Sequence, residues 1–237
     1  MRTDDQSNVF ELPELRNRLH VFADRPKAGA VLAQMLGAYR NGAALVLAVP
    51  AGGIPVGAAM ARELRLPLDV AVVSKVTLPW NTEAGYGAVA FDGTVRLNEA
   101  LLPRLGLSAE DVSDGIARTR EKVRRRVESL RGDRPLPELS GRPVVLVDDG
   151  LASGFTMQVA VEVVRKAGAE EVILAVPTGH ADAVRRLSRM VDVLYCANIR
   201  GGRTFAVADA YKHWYDLTDE EIERILTDFR SSSSEGG

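Results

Sequence analysis

The sequence predicts an α/β fold in which a parallel sheet is flanked by helices and interrupted by one insert. Three observations lead there. Short β-branched runs alternate with helix-like segments, the strand-like runs are apolar throughout, and the alternation fails only between about residues 77 and 141. A strand that is apolar on both faces must be covered on both, and helices packed on the two sides of a parallel sheet satisfy that condition.

The elements follow in order. Residues 26–39 read as a helix, with Asp24 near its start and Pro26 in the first turn, where a missing N–H costs nothing. Residues 44–49 form a buried strand, 55–64 a helix opening just after a Gly pair, and 68–74 a second apolar strand. Within the insert, 87–91 and 94–97 flank Asp92-Gly93, a strong two-residue hairpin signal. Residues 108–131 then read as a long polar helix, with Ser108 and Asp111 in capping-box relation. Three more strands follow at 143–147, 172–177 and 191–196, separated by helices at 154–167 and about 180–189. Thr218 and Glu221 open a last helix over 218–229, and the low-complexity stretch 231–237 reads as a disordered tail. The expected organisation is one domain over 1–230.

The most informative stretch is Val147-Asp148-Asp149-Gly150-Leu151-Ala152-Ser153-Gly154-Phe155-Thr156. A strand ends in two acids, passes a turn of small residues, and enters a helix whose Phe155, Val159, Ala160, Val163 and Val164 repeat at helical spacing. Open N–H groups and the helix dipole favour an anion at such a turn. Two carboxylates beside an anion pocket suit a ligand that also carries hydroxyls, as a sugar phosphate does. After the first strand, Pro50-Ala51-Gly52-Gly53 places a Gly pair between strand and helix, which lets backbone approach a ligand and permits positive φ.

These two stretches resemble the type I phosphoribosyltransferases. The resemblance implies a type I phosphoribosyltransferase-like sheet with a small C-terminal hood, and a reaction that moves 5-phosphoribosyl from phosphoribosyl pyrophosphate to an acceptor. It implies that Asp148 and Asp149 face the ribose hydroxyls and assist Mg2+, directly or through water. Gly150, Leu151, Ala152, Ser153, Gly154, Phe155 and Thr156 would form the 5-phosphate loop. Ala51, Gly52, Gly53 and Lys75 would face the pyrophosphate. The stretch Lys75–Ala88 fits a lid, and Pro79-Trp80-Asn81-Thr82-Glu83-Ala84-Gly85 resembles a poorly characterised bacterial and archaeal branch, which makes Glu83 the candidate general base. Phe205, Tyr211, Trp214 and Tyr215 fall where the family builds its hood over the acceptor.

The chain also departs from the family pattern. Relatives commonly carry a basic residue where Ala51 stands, an aliphatic one where Gly150 stands, and a small or polar one where Phe155 stands. The 6-oxopurine enzymes carry an acid where Ala152 stands, so the acceptor is expected to be another small nitrogenous compound, such as a different nucleobase. Ala51 favours an alternative, a non-catalytic protein that senses phosphoribosyl pyrophosphate or a nucleotide.

Composition narrows the partners. With 30 Lys and Arg against 32 Asp and Glu, the net charge of −2 provides no global field for nucleic acid or membranes. No apolar run reaches the ~20 residues of a membrane span. A single cysteine, Cys196, fits a reducing compartment and a cytoplasmic location. His20, His180 and His213 lack the spacing of zinc ligands. The basic run Arg118, Arg120, Lys122, Arg124, Arg125 and Arg126 leaves three readings open: nucleic-acid contact, a solvated or subunit-facing helix paired with Glu121 and Glu128, or a cation reaching the phosphate site, including across a homodimer.

Overall fold

A computed structural model describes residues 8–234, apart from the side chains of residues 82–84 and 233–234. Strand β1 (Val9–Phe10) precedes helix α1 (Arg25–Met35), β2 (Leu45–Ala48), α2 (Gly53–Leu64) and β3 (Leu68–Val70). The insert contains β4 (Val73–Leu78), β5 (Asn81–Ala90), β6 (Val95–Leu97) and α3 (Ala109–Arg131). The chain then returns through β7 (Pro143–Val147), α4 (Phe155–Lys166), β8 (Glu171–His180), α5 (Ala181–Ser188), β9 (Val193–Arg200) and α6 (Asp219–Ser234).

Six strands form one parallel sheet in the order β1-β9-β8-β7-β2-β3. Alternation along each strand divides its side chains between two cores. Val46, Ala48, Val145, Val147, Ile173 and Ala175 face α1, α2 and α6. Leu45, Leu47, Val144, Leu146, Val172 and Leu174 face α4 and α5. Both faces are buried, so the period-2 signal disappears and the strands read as unbroken apolar runs.

The expected run 68–74 is two strands. β3 stays in the parallel sheet, while β4 leaves it and pairs antiparallel with β5. Uninterrupted apolar sequence carries no mark of that departure, because Ala71, Val72 and Val73 are buried on both sides of it. The stretch 75–88, expected as a lid, lies in a hairpin whose register shifts at Val76/Thr77 and Thr77/Leu78, with Trp80 exposed at its tip. The second hairpin forms, but its register is shifted by one residue from that of a two-residue turn, with Gly87 opposite Leu97 and Val89 opposite Val95. Its turn is one residue longer than expected: the amides of Ala90 and Gly93 bond to Thr94 and Ala90, and Gly93 takes a φ of +86°.

α3 has its capping box, with the Asp111 amide donating to Ser108 Oγ and the Ser108 amide to Asp111 Oδ2. Its far end is fixed by a buried pair in which Arg131 Nε donates to Asp69 Oδ1 at 3.1 Å and Arg131 Nη2 to the Val70 carbonyl at 2.8 Å. β3 thus positions the inserted helix beside the carboxyl ends of the sheet. α6 continues to Ser234, so residues 231–234 of the expected tail are helical; residues 235–237 lie outside the described part.

Candidate active site

The strand order places a switch point between β2 and β7. From β2 the chain steps outward to β3, and from β7 it steps the other way to β8 and β9, so the loops leaving β2 and β7 part and open a crevice. Ligands of open α/β sheets bind in such crevices.

The loop after β2 is shaped by its glycines. A Cβ on Gly52 would stand 1.8 Å from Asp149 Oδ2, and one on Gly53 would stand 2.6 Å from the Val147 carbonyl. Gly52 has φ −62°, and neither glycine has positive φ. Close approach, not backbone conformation, is what requires the pair. The Pro50–Ala51 peptide is cis, and the Ala51 carbonyl accepts from the Ile54 amide.

The acid pair is divided in two. Asp149 Oδ2 accepts from Arg25 Nε at 2.8 Å, with both side chains largely buried. Arg25 also donates to the Tyr215 carbonyl and lies 3.8 Å from the centre of the Trp214 ring, while the Tyr211 hydroxyl donates to the Asp149 carbonyl at 2.6 Å. Among the described residues no such cation bonds to Asp148; its Oδ1 accepts from the Asp149 amide at 2.8 Å. Burial and then the neighbouring Asp149 charge hold the Asp148 carboxyl well above the usual carboxylate range. Burial also raises Asp149, and Arg25 opposes it.

The turn after the acids leads directly into α4. Ala152 and Ser153 are exposed, and Gly154 takes the left-handed φ of +69° that redirects the chain into α4. Among the described residues no protein acceptor takes the amides of Ala152, Ser153, Gly154 or Thr156, which leaves them available to an anion. Ser153 Oγ accepts weakly from the Phe155 amide at 3.4 Å, and Arg186 of α5 donates to the Ser153 carbonyl. Two residues of the expected loop also serve the fold. The Leu151 side chain is buried and its amide bonds to the Thr178 carbonyl at 2.9 Å; Phe155 packs against the α4–α5 core.

Beside Asp148 lies a cavity of about 350 Å3, bounded by Pro50, Lys75, Lys122, Arg126, Asp148 and Thr156. That size suits a small-molecule site. A larger groove of about 670 Å3 follows α3 and shares Lys122 and Arg126, but no strand end opens into it. Glu83 is on β5, and its side chain lies outside the described part.

A family profile described as phosphoribosyl transferase domain matches residues 25–207. The chain belongs to that family. A protein of Mycobacterium tuberculosis, provisionally named as a phosphoribosyl transferase, is 35% identical over 219 residues, which are 92% of this chain and 49% of the relative. The chain thus spans about half the length of the curated relatives it matches in this way. A crystal structure from Thermus thermophilus is 37% identical with a TM-score of 0.71, covering 88% of this chain and 98% of that one. A ribose-phosphate pyrophosphokinase of Pyrococcus furiosus matches more locally, at 41% identity over 63 residues, 26% of this chain and 23% of the relative.

Within this phosphoribosyl transferase domain the departures acquire physical reasons. A Cβ on Gly150 would meet Val207 Cγ1 at 2.5 Å and Thr178 Cγ2 at 3.0 Å. Val207 fills the space that an aliphatic residue at 150 would occupy. Gly150→Ala should therefore overpack the site and cost about 1–3 kcal/mol, and Val207→Ala in the same chain should recover most of it. Denaturant melts of the two variants check this; a neutral Gly150→Ala would refute the packing account. Tyr211 and Trp214 cover the Arg25–Asp149 pair, as a hood would, whereas Phe205 packs away from it against His180 and Arg200. Sequence reading missed Arg25 and Arg186 altogether.

Proposed function

We propose that the crevice binds phosphoribosyl pyrophosphate with Mg2+ and transfers the 5-phosphoribosyl group to a small nitrogenous acceptor. One observation carries this reading: Asp148, Lys75 and Thr156 border one cavity, and Thr156 belongs to the turn whose Ala152, Ser153, Gly154 and Thr156 amides take no protein acceptor among the described residues. The amides and the Ser153 and Thr156 hydroxyls would take the 5-phosphate, Asp148 the ribose diol, and the Gly52–Gly53 loop with Lys75 the pyrophosphate.

The donors suit Mg2+. Two adjacent carboxylates offer hard oxygen ligands but fall short of a protein cage, which is the number Mg2+ takes when phosphates and waters complete its shell. Asp148 would hold the ion, with Asp149 acting through water. Bound there, Mg2+ would neutralise charge gathering on the departing pyrophosphate. The acceptor nitrogen forms its bond to C1 as the C1–O bond breaks, pyrophosphate leaves with the electron pair, and the acceptor's proton passes to a base. Glu83 is proposed for that base, because residues 79–85 resemble the Pro–Asn–Glu–Ala–Gly pattern of the branch. Holding the sugar so that attack and departure are in line is the task of the phosphate loop and Asp148. No described helix is long and apolar enough to cross a membrane; a cytoplasmic location is proposed from the reducing compartment that Cys196 suits.

Ala51 favours a second reading, binding without turnover. Calorimetry with phosphoribosyl pyrophosphate and Mg2+, followed by pyrophosphate release with a panel of nucleobases, separates the two. Binding with acceptor-dependent release is expected. Binding with no release from any acceptor would favour the sensor, and no heat with phosphoribosyl pyrophosphate or ribose 5-phosphate would refute both.

A further inference from the structure

The basic run on α3 separates into two groups. Arg124 bonds to Glu121 and Glu128, and Arg125 to Glu121, all on the exposed surface of the helix. These are the internal pairs of a solvated helix, each of small energetic consequence. Lys122 and Arg126, spaced i and i+4, share a different face and border the cavity that contains Asp148 and Thr156. Among the described residues no carboxylate pairs with Lys122 or Lys75, and Arg126 makes one ion pair, with the largely exposed Asp219. Three cations from two separate elements therefore border one cavity together with a single acid, Asp148. A cavity arranged in this way is complementary to a ligand with several negative charges at the cation end and hydroxyls or a metal at the acid end.

Position 51 supplies no charge. The loop that would clasp a pyrophosphate carries an apolar side chain that packs against the core, and its neighbours are glycines. The geometry points to Lys122 and Arg126 of α3, with Lys75 of β4, as the cations that hold the diphosphate and so replace the one missing at 51. This inference rests on the phosphoribosyl pyrophosphate reading of the crevice and assigns one end of that ligand to the inserted helix. The buried Arg131–Asp69 pair fixes α3 against β3, so the two cations are presented from a rigid support.

Calorimetry with two ligands tests it: phosphoribosyl pyrophosphate, and ribose 5-phosphate, which lacks the diphosphate. Lys122→Gln and Arg126→Gln keep helix propensity at surface positions, and thermal melts of each establish that the fold is intact. Each substitution should weaken phosphoribosyl pyrophosphate about tenfold, the scale of one charge-assisted bond, and the double variant more. Ribose 5-phosphate affinity should stay within about twofold of wild type, since its phosphate lies at α4. Lys122→Arg should restore binding. Arg120→Gln, on another face of the helix, should change neither ligand. Equal weakening of both ligands, or of neither, would overturn the assignment while leaving the crevice reading intact. If the unaltered protein binds neither ligand, the crevice reading falls and this assignment with it.

Discussion

Asp148→Asn should lower turnover by on the order of 10²–10³-fold, the effect of deleting one preorganised electrostatic contact to a transition state, and at the same time raise the melting temperature. The two effects share one cause. Among the described residues no cation is paired with Asp148, and burial together with the Asp149 charge outweighs the opposing pull of Arg25 and disfavours its ionised form. A carboxyl whose native pKa lies above its unfolded value contributes stability that is fully present below the unfolded value and is lost as pH rises through the native one. Asparagine keeps the oxygen that accepts the Asp149 amide and carries no charge to desolvate. The stability gap between variant and wild type should therefore be absent in acid and widen as pH rises past the usual carboxylate range. Melts at a series of pH values without Mg2+ or ligand check the stability half, and pyrophosphate release checks the other. An Asn variant less stable than wild type at neutral pH would refute the account of Asp148 as an uncompensated acid.

The parallel sheet was legible because burial on both faces produces unbroken runs such as 143–147 and 172–177, and because each crossover helix carries its own period. The small-residue turn at 150–154 was legible for a local reason: an acid pair, a glycine in αL and a helix start must be contiguous to work. What escaped was long-range. Arg25 looks like an ordinary first-turn residue beside Pro26, and nothing near it announces a partner 124 positions away. Run 68–74 hid the change from the parallel sheet to the hairpin, since its residues are buried in either arrangement. Lys122 and Arg126 were visible as charges, but only the placement of α3 against β3 and β4 distinguishes them from Arg124 and Arg125. The one-residue bridge from Leu151 to Gly179, which continues the sheet into the turn, leaves no sequence pattern.

Arg25→Met should be the most destabilising single change in the site, at about 3–5 kcal/mol, the range for removing one partner of a buried ion pair. Arg25 and Asp149 retain only 8% and 14% side-chain exposure, so the carboxylate left behind cannot rehydrate without disturbing Gly52 beneath it and Tyr211 beside it. Trp214 would also lose the cation it covers. Asp149→Asn alone should cost less, because an amide oxygen can still accept from Arg25. The double variant, Arg25→Met with Asp149→Asn, removes the charge along with its partner and should recover much of the loss. The expected coupling in a double-mutant cycle is ~1–3 kcal/mol. Denaturant unfolding at neutral pH measures all three variants. If the losses simply add, Arg25 and Asp149 are not coupled, and the support that positions Asp148 against the phosphate loop must come from elsewhere. Ligand binding gives an independent readout: as positioning residues, the pair should alter phosphoribosyl pyrophosphate and ribose 5-phosphate affinities in parallel, unlike the α3 cations, which should discriminate between them.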